Sequence, residues 1–124
     1  MPGYAVNDFG DSIRFGATTA AEDEADLTKV NFDISLFDIY AKGFIEGAKG
    51  GLTAGEIALM PEAAIMMTFE CGMRFLADYL NGDVYFRTSR ERQNLDRARN
   101  QFKLVRDMER ALPEMHRVVS RYAR

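Results

Sequence analysis

At 124 residues the chain is long enough for one domain and too short for two full ones. Hydrophobic residues make up 47% and charged residues 28%, a balance that excludes wholesale disorder. The single cysteine, Cys71, excludes a disulfide framework and a cysteine-based zinc site. No apolar run reaches the roughly 20 residues of a membrane span, and the N-terminus lacks the basic-then-apolar order of a signal peptide. A reducing, cytoplasmic setting without a membrane partner is therefore expected. The net charge of −3 is unevenly spread: residues 1–86 hold five basic against 14 acidic side chains, residues 87–124 hold 11 against five. The two parts can pack on each other, share a solvated surface, or present a basic arm to an anionic partner.

Residues 1–7 read as a loop, because Pro2 and Gly3 are breakers. Asp8 is a favourable N-cap for a short helix over residues 9–15. Residues 16–31 are polar, acidic and without a period. They predict a solvated segment, with one helical turn allowed by the capping-box spacing of Thr19 and Glu22. The next element is clear. Phe37, Tyr40, Ala41, Phe44 and Ala48 recur at helical steps, Asp33 or Ser35 can cap the start, and Gly50 and Gly51 stop it.

Thr53 and Glu56 predict a capping box on a short helix that ends before Pro61. Pro61 then opens a second helix, closed by Asn81 and Gly82. Its predicted inner face is Ile65, Phe69, Gly72, Met73, Leu76 and Leu80. Met66, Met67 and Phe75 make other sides apolar too, so burial on most of its surface is expected. Residues 82–93 read as a loop, with Asp83–Phe86 too short for a strand. Residues 94–112 form an amphipathic helix with Leu95, Ala98, Phe102, Val105 and Met108 on its stripe. Pro113 breaks or restarts it, and the chain ends helically. There is no internal repeat. The expected fold is all-α, four to five helices in a single domain over residues 1–124.

Glu70, Arg74 and Asp78 lie at i, i+4 and i+8 on the most apolar helix. Two readings stand: an internal ion-pair ladder that braces the helix, or a polar site in which Arg74 donates to a hydroxyl-rich or anionic ligand. The glycines around Lys49 are a helix stop rather than a phosphate loop, since they follow a helix and lack the full Gly-x-x-x-x-Gly-Lys-Ser/Thr pattern. His116, the only histidine, has no partners that would make a metal site, so none is expected. Cys71 reads as a buried, inert thiol. Arg92, Arg99, Lys103, Arg106 and Arg110 form a basic stripe, but no aromatic residues interleave with it. Nucleic-acid binding is therefore the least expected function.

The tripeptide Asp8-Phe9-Gly10 is the metal-binding signature of protein kinases. Phosphoryl transfer also needs a phosphate-binding loop, a catalytic acid and metal ligands. His116 is followed by Arg-Val-Val, so the His-x-Asp catalytic loop is not among these residues. On residues alone the chain is a helical domain with a possible polar site and no catalytic residue.

The strings DFGDSIRFGATTAAEDEADLTKV and MTFECGMRFLADYLNGDVYF, followed by NLDRARNQFKLVRDME, resemble the C-terminal part of bacterial N-acetylhexosamine 1-kinases. These belong to the aminoglycoside phosphotransferase superfamily, which has a kinase-like fold. The resemblance runs from Met1 to about Arg110. It implies that Asp8 is a structural residue at a helix start, not the metal ligand, which in that family sits in a DLDT-like turn before the MPG segment. It implies a sugar site with Arg74 and Tyr85 as contacts and Phe15 as a third. It also implies MgATP as the phosphoryl donor of the full-length family, bound outside this chain together with the catalytic loop. The chain departs from the family at Asn7, where a larger apolar or aromatic residue is the pattern. The resemblance thus implies the acceptor-binding segment of an N-acetylhexosamine kinase, inactive alone and partnered by an N-terminal kinase lobe. The competing expectation is a helical interaction or oligomerisation module that covers its apolar surface by self-association.

Overall fold

The computed structural model describes residues 2–123. They form four helices, α1 Pro2–Gly16, α2 Ile34–Gly47, α3 Ala54–Leu80 and α4 Gln93–Tyr122, with one 3-10 turn at Leu27–Lys29. The fold is all-α, and among the described residues there is no strand. None of these helices is long and apolar enough to cross a membrane.

The predicted loop over residues 2–7 is helical. Val6, Phe9 and Ile13, and Ala17 just beyond the helix, are buried at steps of three and four. That spacing gives the segment a core face from its first turns. Pro2 suits the first helical position, where its missing N–H leaves no bond unmade. Asp8 accordingly does not cap the helix. It is exposed in the interior of α1, and its main-chain carbonyl accepts a hydrogen bond from Ser12 Oγ at 3.0 Å. Gly10 is needed for close approach: a Cβ there would lie 2.6 Å from the Ala63 carbonyl oxygen on α3.

The caps predicted at Asp33 and at Thr53–Glu56 do form. Asp33 accepts from the N–H groups of Ser35 and Leu36 at 2.8 and 3.2 Å. Glu56 N–H donates to Thr53 Oγ1 at 3.0 Å while Thr53 N–H donates to Glu56 Oε1 at 2.8 Å. On α2, Phe37 and Ala41 are buried as expected, whereas Tyr40 is partly exposed.

The predicted breaks at Pro61 and Pro113 do not occur. Both prolines lie inside continuous helices. An interior proline costs about 3 kcal/mol. On both sides of each proline, though, buried side chains face the same core: Ile57 and Met60 before Pro61 with Ala63 and Ala64 after it, and Met108 before Pro113 with Met115, Val118 and Val119 after it. Each large apolar side chain gains about 1.5–3 kcal/mol by full burial. Breaking either helix would forfeit several such contributions to recover one hydrogen bond.

The end of α3 fulfils the Asn81–Gly82 prediction. Gly82, at φ +91°, donates to the Tyr79 carbonyl at 3.2 Å, and Asp83 N–H to the Asp78 carbonyl at 2.8 Å. This is the paired 5→2 and 6→1 bonding of a Schellman cap.

The helices run alternately up and down. Each packs on two neighbours in the cyclic order α1, α3, α4, α2. Phe9 meets Phe37 edge-on at 5.7 Å, and Phe69 tilts against Phe102 at 5.8 Å. The core joins Phe9 and Ile13 to Phe37, Met60, Leu104, Met108 and Met115.

The acidic segment between α1 and α2 is pinned rather than freely solvated. Asn100 Nδ2 donates to the Ala21 carbonyl at 2.8 Å, Gln93 Nε2 to Asp23 at 2.9 Å, and Lys103 Nζ to the Val30 carbonyl at 2.8 Å. Glu22 pairs with Arg14 instead of forming a capping box with Thr19. Acidic and basic parts thus do meet, and Arg121 reaches Asp38 at 3.1 Å in the same manner.

Candidate functional site

Where α1 runs beside the middle of α3, the two helices, the segment after α1, the loop after α3 and the start of α4 border a cleft of about 590 Å³. Phe15 and Arg74, predicted sugar contacts, both line it, as do Asp8 and Glu70. Phe15 is not a core residue: it is 56% exposed, and the Arg14 guanidinium lies 4.0 Å from its ring centroid. Arg14 is held by Asp11 at 3.0 Å and by Glu22. Arg97, from the start of α4, also lines the cleft; its guanidinium lies 5.5 Å from the Phe75 ring centroid and donates to the Arg87 carbonyl and to Asn94 Oδ1.

The wall composition determines what the cleft can hold. Four carboxylates (Asp8, Asp11, Glu22, Glu70) face four guanidinium groups (Arg14, Arg74, Arg87, Arg97), so no single charge dominates. Phe15, Phe75 and Phe86 supply aromatic surface between them. Acceptors, donors and ring faces in one neutral-on-balance cleft match a polyhydroxylated ligand, whose hydroxyls both donate and accept.

The expected Glu70–Arg74–Asp78 ladder divides into two parts. Arg74 pairs with Glu70 at 3.2 Å, but both side chains are half or more exposed, so this pair does not brace a buried helix. Asp78 is buried, and its hydrogen bonds go to the loop after α3 and to α4 rather than to Arg74. Its carboxylate accepts the main-chain N–H of Tyr85 at 2.7 Å and of Phe86 at 2.9 Å, together with the Asn94 amide at 2.8 Å. Burial alone would raise its pKa. The N–H donors of Phe86, Tyr85 and Val84 and the Asn94 amide outweigh burial and hold it below its ordinary value.

Tyr85, expected beside Arg74 at the sugar, does not line this cleft. It lines a neighbouring cleft of about 430 Å³ with Val84 and Asn81, and Arg74 and Phe86 border both. Cys71 is half-buried in the first cleft. Burial pushes its thiol pKa up, and the nearby Arg14 charge offsets only part of that. Among the described residues no group of three His, Cys, Asp or Glu is placed to hold a metal ion.

Sequence reasoning missed Arg14, Glu22 and Arg97. Arg14 and Glu22 meet only because the segment after α1 folds back. Arg97 stands out in sequence only as one arginine among many. No protein-family model matches the chain.

Proposed function

We propose that this chain is the acceptor-binding helical part of an ATP-dependent sugar 1-kinase, with MgATP and the catalytic loop supplied from outside its 124 residues. The acceptor is an N-acetylhexosamine. Arg74 donates to its hydroxyl or acetamido oxygens, and Phe15 packs on an apolar face of the ring. In such a reaction the acceptor site contributes mainly orientation. The observation that carries this reading is the convergence of Phe15 and Arg74, far apart in sequence, on one cleft rich in both donors and acceptors. Amide chemical-shift mapping with N-acetylglucosamine and N-acetylgalactosamine tests it. Saturable shifts clustered at Phe15, Cys71 and Arg74 are expected; shifts elsewhere, or none at millimolar sugar, would oppose it. On this reading the pure chain consumes no ATP in the presence of either sugar.

A second reading, an interaction or oligomerisation module, is favoured by a different observation. Leu59, Met66, Met73 and Leu80 recur every seven residues along α3 and are all about half exposed or more. A continuous apolar stripe of this kind is unusual on an isolated domain. Light scattering separates the readings: a concentration-dependent rise in mass, abolished by Met66→Lys with Met73→Lys, would favour self-association.

A further inference from the structure

The exposed stripe of α3 has an internal symmetry. Leu59, Met66, Met73 and Leu80 follow one another at intervals of seven residues, and the order Leu, Met, Met, Leu reads the same in both directions. A seven-residue apolar repeat is the seam along which a second helix packs, its side chains seated between those of the first. A second α3 laid antiparallel on this stripe meets it like on like. Leu59 then lies on the partner's Leu80, and Met66 on the partner's Met73.

The two ends of the stripe differ in shape. At the start of α3, Leu59, Ala63 and Met66 join Val6 of α1 to line an apolar groove of about 350 Å³, bordered by Glu56 and Glu62. Glu62 is bonded to His116 of α4 at 2.7 Å. At the far end, Leu80 is 73% exposed and Val84, just beyond the helix, is 80% exposed. Groove and protruding side chains lie about 30 Å apart along the helix, so they cannot meet within one chain. In an antiparallel pair each copy's Leu80 lies over the partner's groove, and one twofold axis fills both grooves. A parallel pair leaves each Leu80 at the end away from the groove. Glu70 and Arg74, of opposite charge and both half or more exposed, border the stripe near its midpoint. The antiparallel axis brings each copy's Arg74 towards the partner's Glu70. A dimer interface of standard size takes roughly 800 Å² from each partner, a patch about as long as this stripe.

We propose that the outer face of α3 is the interface of an antiparallel, twofold-symmetric dimer of this chain, with Leu80 of each copy seated at the partner's Leu59–Met66 groove. This rests on the interaction-module reading above and narrows it from self-association to one geometry. It asks nothing of the Phe15 cleft.

Sedimentation and disulfide trapping of the whole chain test it. The wild type should sediment at twice its 14.0 kDa. In a Cys71→Ser background, Leu59→Cys and Leu80→Cys are made as separate variants and oxidised alone and mixed. The mixture should cross-link roughly tenfold faster than either variant alone, since a disulfide needs Cα atoms within about 7 Å. Met66→Cys with Met73→Cys repeats the test at the centre of the stripe, and circular dichroism checks that the helices are intact. A dimer in which either end variant cross-links with itself as fast as in the mixture overturns the antiparallel geometry and leaves self-association standing. A monomer at every concentration up to millimolar overturns both.

Discussion

Asn94, in the first turn of α4, donates through its side-chain amide to Asp78, in the last turn of α3, at 2.8 Å, and both residues are buried. The same Asn94 amide reaches Asp83 at 3.1 Å. The loop joining the two longest helices is therefore fastened at its base, and the loop residues that border the clefts follow from that fastening. Asn94→Ala leaves a buried carboxylate short of a donor, so a loss of about 1–3 kcal/mol is expected. Urea denaturation of the variant measures it.

The Asp78 clamp also has a pH signature. Its folded pKa is depressed by hydrogen bonds to the carboxylate, against the opposing pull of burial. A depressed carboxylate contributes stability that is fully present above the unfolded value of about 3.9. That contribution is lost as pH falls through the lower, folded value. The amide shifts of Tyr85 and Phe86 should move together in that acid range. In Asp78→Asn that joint transition should disappear.

Gly10 sets the separation of α1 and α3. Its missing Cβ would collide with the main-chain carbonyl of Ala63, which cannot move as a side chain can. Gly10→Ala should therefore destabilise the fold by about 1–3 kcal/mol despite the better helix propensity of alanine. A Tm equal to or above that of the parent would contradict the close packing.

The two cleft arginines should respond differently to truncation. Arg74 is mostly exposed and, among the described residues, pairs with the half-exposed Glu70. Arg74→Ala should change stability by less than about 0.5 kcal/mol. Arg14 is 10% exposed at its side chain and held by Asp11 and Glu22. Arg14→Ala should cost more, about 1 kcal/mol, chiefly by leaving the partly buried Glu22 without its partner, since the half-exposed Asp11 is solvated. Thermal melts of the two variants side by side measure the difference.

Cys71 should be a slow nucleophile. Burial raises its thiol pKa, so the reactive thiolate is scarce at neutral pH. Alkylation by iodoacetamide at pH 7.5 should run roughly several-fold slower than for a free cysteine. The rate should still be climbing where a free thiol has levelled off.

What could be read from the chain beforehand was mostly local. The Thr53–Glu56 box, the Asp33 cap and the Asn81–Gly82 stop depend on neighbours within a few positions, and each forms as expected. The continuity of α3 through Pro61 and of α4 through Pro113 depends on burial against other helices, which no local signal reports. The inner face of α3 was misjudged for the same reason. Gly72 is buried as expected, but hydrophobicity also pointed to Phe69, Met73 and Leu80, which are exposed, and passed over Thr68 and Asp78, which are buried. Thr68 satisfies its hydroxyl on the Ala64 carbonyl at 2.8 Å, and Asp78 satisfies its charge on the loop. Glu70 and Arg74 were legible as a pair because their spacing is local. The split of Phe15 and Tyr85 between two clefts was not, because it depends on how the loop after α3 is tied down.

The measurement to make first is calorimetric titration of N-acetylglucosamine and N-acetylgalactosamine into the wild-type chain and into Arg74→Ala. Saturable binding of at least one sugar is expected in the wild type, weakened roughly tenfold or more in the variant while its melting temperature stays unchanged. No binding in the wild type, or binding that Arg74→Ala leaves intact, would contradict a sugar-acceptor site built around Arg74.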